Sequence, residues 1–198
     1  RYLEAVCRQC RREGKKLHLK GVRCETAKCP LERQWRNFPP GMHSWRRRRS
    51  VSGYGLRLRE KQKVKRYYGV LERQFMVYFR LAERGRGNTG DTLLTLLERR
   101  LDNVICKLGF APSRRAARQL VLHRHVLLNG RRASSPSLIV RPGSVIQVKD
   151  RAKSKDLATR NLETCQGRQV PIWLSVEPKK LSGEFLRLPT RDEIAPVV

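Results

Sequence analysis

Apolar positions are sparse and irregular over residues 1–50, and "FPPGMHSWRRRR" (38–49) is too rich in proline, glycine and charge for a core element. That stretch reads as an irregular, basic arm. From Tyr54 the pattern changes. "YGLRLREKQKVKRYYG" sets Leu58, Val64, Tyr67 and Tyr68 among alternating charges, and Gly69 is placed to end a helix in the left-handed conformation. "LERQFMVYFRLAERG" then opens a second amphipathic segment, so two short helices are expected.

After the loop "RGRGNTG" (84–90), Leu93, Leu94, Leu96, Leu97, Leu101, Val104, Ile105 and Leu108 recur at helical spacing, which predicts one core helix ending at Gly109. Pro112-Ser113 is a helix-start signal for "RRAARQLVLH". A rotation of about 100° per residue puts Arg114, Arg115, Arg118, Gln119 and Leu122 on one face and Ala116, Ala117, Leu120 and Val121 on the other. "VLLNGRRA" (126–133) reads as a hairpin on Asn129-Gly130, the preferred dipeptide of a type I′ turn, and "SLIVRPGSVIQV" (137–148) as two further strands about Pro142-Gly143. Leu157, Leu162 and Cys165 mark another helix, and "PIWLSVEPKKLSGEFLRLP" reads as strands or extended chain around turns. The expected class is α+β. A basic arm over 1–50 precedes a mainly helical domain formed by 51–97 with 151–198, into which a small module of helices packed on an antiparallel sheet is inserted over 98–150.

Charge narrows the reading. The 198 residues hold 45 Lys and Arg against 17 Asp and Glu, a formal net charge of +28. Such a chain repels itself unless a polyanion neutralises it, which points to nucleic acid or an anionic membrane. No apolar run approaches the roughly 20 residues needed to span a bilayer, so an intracellular, soluble protein is expected. Its thiols would then be reduced, which argues against three disulfides from six cysteines.

Four of those cysteines stand as Cys7-x2-Cys10-x13-Cys24-x4-Cys29. Two close pairs separated by a short loop suit a tetrahedral ion, because each tight turn supplies two sulfurs. A structural zinc is the first expectation. An iron–sulfur cluster uses the same donors, and a redox or disulfide pair or unliganded thiols are the rival readings. Four thiolates around a divalent ion leave about −2 of charge, which Arg8, Arg11, Arg12 and Lys28 can stabilise, and the same basic flank is expected to lower the thiol pKa values. Zinc contributes on the order of 10 kcal/mol of folding free energy, enough to order a segment with almost no apolar core. The clip would hold Arg8, Arg11, Arg12, Lys15 and Lys16 in fixed positions.

Catalytic constellations are weak. His18, His43, His123 and His125 lie near no nucleophile in an elbow context, Cys106 and Cys165 fall on apolar helical faces, and "RGRGNTG" lacks the Lys-Ser/Thr of a phosphate-cradling loop. No enzyme is expected. The sharper feature is the set Arg114, Arg115, Arg118, Arg124, Arg131 and Arg132, all within residues 113–132 and without an intervening acid. A single-sign patch on stiff elements is costly without a polyanion beside it.

"RLDNVICKLGFAPSRRAARQLVLHRHVLLNGRRASSPSLIVRPGSVIQV" resembles the RNA-binding domain of small-subunit ribosomal protein number four, a domain also appended to pseudouridine synthases, a tyrosyl-tRNA synthetase and a heat-shock protein. "RREGKKLHLKG", "PPG-x-H", "YGLRLREKQKVKRYYGVLERQF", "GNTGDTLLTLLERRLDNV", "PIWLSV" and "GEFLRLPTRDEI" extend the likeness, in order, over nearly the whole chain, to the bacterial-type ribosomal family itself. Met42 and Ser44 stand where the family usually reads Gln and Gly.

The resemblance implies a structural protein of the small subunit, in the cytoplasm or in an organellar ribosome of bacterial type. It implies primary binding to the 5′ domain of the small-subunit rRNA early in assembly. It also implies a place at the mRNA entry channel beside small-subunit proteins three and five, where contacts influence decoding accuracy. By motif, Arg46, Arg47 and Arg49 match the family's mRNA-facing basic residues. The full set of candidate RNA-binding residues is Arg8, Arg11, Arg12, Lys15, Lys16, Arg46, Arg47, Arg49, Arg57, Lys61, Lys65, Arg114, Arg115, Arg118, Gln119, His123, Arg131 and Arg132. Neither a membrane nor a small-molecule substrate is expected. The alternatives are an RNA-modifying or quality-control protein that uses the same module, for which the segment after Lys153 is too short to be a catalytic domain, and a zinc-dependent DNA-binding protein.

Overall fold

The computed structural model describes residues 2–43 and 52–194. Two compact units, Arg1–Phe75 and Met76–Ala195, divide the chain.

In the first unit, α1 (Cys7–Glu13) ends at Gly14 in the left-handed region (φ 69°) and is followed by 3-10 turns at Gly21–Cys24 and Gln34–Arg36. Among the described residues the arm has local order but little apolar burial, limited to Val6, Cys10, Leu17, Cys24 and Cys29. Helix α2 (Gly53–Tyr68) starts where the Ser52 hydroxyl accepts from the Gly55 amide at 3.2 Å. It stops at Gly69 (φ 65°), where the Gly69 and Val70 amides donate back to Arg66 O and Lys65 O; glycine meets that turn without the Cβ clash of other residues. Its buried face carries Val64, Tyr67 and Tyr68, the two rings meeting edge to face at 4.9 Å. The Glu13 carboxylate, fully buried, ties α1 to α2 by accepting from Arg66 and, at 3.4 Å, from Arg59. Helix α3 (Glu72–Glu83) follows, and the unit boundary falls within it.

The second unit is built on helices α4 (Thr89–Glu98), α5 (Leu101–Lys107), α6 (Arg114–Leu122) and α7 (Ala152–Thr164) and strands β1 (Val126–Leu128), β2 (Arg131–Arg132), β3 (Ser144–Val148), β4 (Leu174–Glu177) and β5 (Ser182–Phe185). The sheet is antiparallel in the order β2-β1-β3-β5-β4. One core joins α5 and α6 to it, through Leu101, Val104, Ile105, Leu108, Phe110, Ala117, Val121, Val126, Ile146, Trp173 and Phe185. The α+β class, the helices at 53–68, 72–83 and 114–122, and the Asn129-Gly130 hairpin agree with the sequence reading; φ is positive at both turn residues, 49° and 76°.

Two elements differ from expectation, for one reason. The apolar repeat over 93–108 suggested a single helix, but the chain breaks at Arg100, which is extended (φ −63°, ψ 135°). The Leu101 and Asp102 amides, orphaned at the new helix start, donate to Leu138 O (2.9 Å) and Pro136 O (3.2 Å), while Val140 donates to Arg99 O at 2.8 Å. The segment 136–140 therefore caps α5 and makes only an isolated bridge, Arg100 to Ile139, where a strand was expected. A third difference concerns boundaries. Residues 174–185, grouped by sequence with 51–97, form β4 and β5 of the sheet assigned to 98–150, with β5 hydrogen-bonded along β3. Gly183 permits this, since a Cβ there would lie 2.7–2.8 Å from both Leu108 methyls and 3.1 Å from Ser175 O.

Candidate nucleic-acid interface

Helix α6 carries Arg114, Arg115 and Arg118. The Ser113 hydroxyl accepts from the Ala116 amide at 3.3 Å, as its position predicts. Ala117, Leu120 and Val121 are buried, while Arg115, Gln119, Leu122 and His123 are exposed. The helix ends in paired bonds, Arg124 N–H to Val121 O and His125 N–H to Leu120 O. These place Arg124 in the left-handed region (φ 60°), which usually takes glycine. Next to it, His125 Nδ1 lies 2.9 Å from Ser154 Oγ. Burial and the neighbouring His123, Arg151 and Lys149 charges hold the His125 pKa below its usual value, so it is a neutral structural contact.

The basic face is not one uniform surface. Arg114 Nε donates to Asn103 Oδ1 at 2.7 Å, and an Arg118 terminal nitrogen lies 4.0 Å from Asp102 Oδ2, so both lean on α5. On the hairpin, Arg131 pairs with the core-side Leu128, and Arg132 pairs with Leu127. Strand alternation therefore puts Arg131 on the helix-bearing face of the sheet and Arg132 on the opposite one. Both are exposed.

Beneath Arg114 and Arg118 lies a polar network that sequence reasoning missed. Arg100, 1% exposed, donates two bonds to Asp102 (3.0 and 2.6 Å) and one to the Tyr78 hydroxyl (2.8 Å). Burial opposes the Arg100 charge, but the Asp102 fork and Tyr78 outweigh it, and the guanidinium pKa is raised. Asn103 donates to Glu98 O (3.0 Å) and Glu98 Oε2 (2.6 Å), and Glu98 is itself buried. "ERRLDNV" carries these residues in plain sight, but the apolar repeat alone gives no sign that they are buried.

In the first unit the candidate cations divide by partner. Arg8 pairs with Glu4 at 2.6 Å, Lys16 pairs with Glu32, and Arg11 Nε donates to Phe38 O at 2.7 Å. Lys61 and Lys65 share the Glu72 carboxylate, whose pKa they lower. Lys15 is exposed, and Arg12 and Arg57 also reach solvent. Arg46, Arg47 and Arg49 lie outside the described residues.

Cys7, Cys10, Cys24 and Cys29 line one pocket with Lys20, Arg23, Pro30 and Leu31. Among the described residues, however, no group of three or more His, Cys, Asp or Glu side chains is arranged to hold a metal ion. The sulfurs already receive amide donors, Lys20 N–H to Cys24 Sγ at 3.3 Å and a backbone bond from Leu17 to Cys10. The expected lowering of thiol pKa values does not occur at Cys10 or Cys24. Burial, reinforced by the other three sulfurs, pushes Cys10 up to about 11, and burial likewise raises Cys24. Cys106 and Cys165 pack as apolar groups, Cys165 buried and Cys106 against the core.

No described helix is long and apolar enough to cross a membrane. Residues 1–98 match the family model of the ribosomal protein S4/S9 N-terminal domain, and residues 99–146 match that of the S4 domain. The chain is 52% identical over 195 residues to small ribosomal subunit protein uS4 of Thermus thermophilus, covering 98% of this chain and 92% of that protein. It is 50% identical over 198 residues to the uS4 protein of Syntrophomonas wolfei (100% and 94% covered) and 50% identical over 194 residues to that of Thermodesulfovibrio yellowstonii (98% and 92%). An S4 module on an α5–α6–hairpin scaffold, preceded by the matching N-terminal domain at this identity, makes the chain a member of the uS4 family of small ribosomal subunit proteins.

Proposed function

We propose that the protein is a structural component of the small ribosomal subunit that binds the 5′ domain of its rRNA, nucleates assembly there, and lies at the mRNA entry region beside small-subunit proteins three and five, where it contributes to decoding accuracy. The observation that carries the RNA reading is the acid-free set of arginines on α6 and the adjoining hairpin, fixed by a capped helix and a type I′ turn. Folded RNA offers phosphates and 2′-hydroxyls rather than readable base edges in its deep groove, and the planar arginine fork suits phosphate. Family membership supports the ribosomal setting. The mRNA role rests on the family likeness of Arg46, Arg47 and Arg49.

The four-cysteine pocket is proposed as a structural metal clip, zinc in preference to an iron–sulfur cluster. What supports it is the chemistry of the donors: the four cysteines line one pocket, and Cys10 and Cys24 accept backbone amides, as metal-bound thiolates commonly do, although the four side chains are not gathered around an ion. Bound there, a divalent ion would supply the cross-link that an arm with so little apolar burial lacks.

The test is binding of a small-subunit rRNA 5′-domain transcript at several salt concentrations, with duplex DNA as competitor. Arg115→Glu with Arg131→Glu, both at exposed positions, should weaken RNA binding at least a hundredfold and flatten the salt dependence by about 0.7–0.9 for each phosphate left unneutralised. Unchanged affinity in the variant, or preference for the duplex DNA, refutes the reading.

A further inference from the structure

The buried polar network beneath α6 is larger than the fold requires. α5 could pack by Leu101, Val104, Ile105 and Leu108 alone, yet it also buries Asp102 and Asn103, at 4% and 1% exposure, beside Glu98 and Arg100. Apolar residues of similar size would avoid the desolvation of two carboxylates and a guanidinium. What the polar residues add is a pair of outlets. Asp102 and Asn103 are neighbours on α5, and each meets one arginine of α6, Arg118 at 4.0 Å and Arg114 at 2.7 Å, one helical turn apart. Behind them, Asp102 is fixed by the Arg100 fork and Arg100 by Tyr78, while Asn103 is fixed by two bonds to Glu98.

The amide orientation at Asn103 follows from its partners. Its nitrogen must donate to the Glu98 carbonyl and carboxylate, so its oxygen is left to accept from Arg114 Nε. That bond fixes the guanidinium through its Nε. An arginine that is ordered before binding loses less rotamer entropy when it meets a phosphate.

We propose that Asn103, and with it Asp102, are positioning residues: they hold Arg114 and Arg118 in the geometry that receives RNA phosphates and themselves touch no RNA. This inference rests on the RNA-binding reading of α6. Two consequences separate it from a merely structural role. First, Asn103 acts through Arg114. Asn103→Ala should weaken binding of the 5′-domain transcript about tenfold in the wild-type background and have little effect in an Arg114→Ala background. Second, the order exists before RNA arrives.

The experiment is a double-mutant cycle on the full chain, Asn103→Ala against Arg114→Ala, read by RNA affinity, with thermal melts on each variant. It is paired with relaxation and solvent-exchange measurements on the arginine Nε–H groups of the wild-type protein without RNA. The expected result is strong coupling in the cycle, and a rigid, slowly exchanging Arg114 Nε–H beside an averaged Arg132. Additive losses in the cycle overturn the positioning role. So does an Arg114 Nε–H as mobile as that of Arg132, a measurement that stands even if Asn103→Ala fails to fold. If Arg115→Glu with Arg131→Glu binds as tightly as wild type, the RNA reading itself falls; if that variant fails to bind but the cycle is additive, only the positioning role falls.

Discussion

Arg124 sets stability and binding against each other, and replacing it with glycine separates them. It takes the left-handed position after α6 (φ 60°), fixed by the Arg124–Val121 and His125–Leu120 backbone bonds. For an L-residue with a Cβ that conformation costs roughly 1–2 kcal/mol. Glycine removes that strain but enlarges the entropy of the unfolded chain by roughly 0.4–1 kcal/mol. Arg124→Gly should therefore stabilise the fold by about 0.5–1 kcal/mol, or about 2–4 °C in the melting temperature. The side chain is exposed at the C-terminal end of the arginine-bearing helix, beside the exposed His123. On the RNA-binding reading it meets a phosphate, so the same change should weaken binding of the 5′-domain transcript about tenfold and reduce the salt slope by about 0.7–0.9. Arg124→Lys keeps the strain and the charge, and should leave both the melt and the slope near wild type. A lower melting temperature for Arg124→Gly would refute the strain argument. An unchanged slope would refute the phosphate contact.

Gly183→Ala should destabilise the second unit by about 1–3 kcal/mol, because the new methyl would overlap a Leu108 side chain that is 1% exposed and tightly enclosed. With a urea dependence of about 2 kcal/mol/M, the midpoint should fall by about 0.5–1.5 M, and Leu108→Val in the same chain should recover part of it; a wild-type midpoint would show that the close approach is tolerated. For the cysteine pocket, the folded chain holds the Cys10 proton to about 11 whereas an ordinary thiol releases it near 9.0. The folded state therefore binds more protons across that window, and the metal-free protein should lose stability as pH rises from 9.0 to about 11. Zinc needs thiolates, so its binding near pH 7 should release about two protons or more; titration calorimetry in buffers of different ionisation enthalpy measures this, and tight binding without proton release would refute thiolate ligation at Cys10 and Cys24.

The parts of the fold legible in the sequence are those whose signal is local. Ser113 ahead of "RRAARQLVLH", Gly69 after "KRYY" and Asn129-Gly130 between Leu127-Leu128 and Arg131-Arg132 each specify a backbone conformation within a few residues, and each adopts it. Where sequence and structure part, a distant partner decides. The break at Arg100 needs the carbonyls of Pro136 and Leu138 to satisfy the α5 amides, and nothing within 93–108 signals it, because the apolar repeat runs on through Arg99 and Arg100. β4 and β5 are recognisable as extended chain, but the place of β5 along β3, with β4 outside it, depends on the closeness of Gly183 to Leu108. In the candidate interface, the exposed α6 and hairpin positions follow from helical phase and turn type. The thiol shifts do not, since charge counting along the chain favours thiolates, whereas burial of the sulfurs among one another favours thiols.

The acids show why the charge imbalance is compatible with a fold at all. Only 17 carboxylates face 45 basic residues, and a solubility argument alone would scatter those acids over the surface. Most of them do lie at the surface, but the side chains of Glu13, Glu98 and Asp102 are buried, Glu13 gathering Arg59 and Arg66 and Asp102 gathering Arg100 with Arg118 nearby. A buried acid that accepts from arginines adds little to net stability, because the desolvation it suffers is about what the pairing recovers. It does fix where the arginines stand, and it withdraws negative charge from the exterior, so the surface is more uniformly positive than composition implies. Both effects favour a polyanionic partner: the first lowers the ordering cost of each contact, and the second strengthens the field that gathers phosphate. On the RNA-binding reading, the free chain carries the self-repulsion and the partner relieves it.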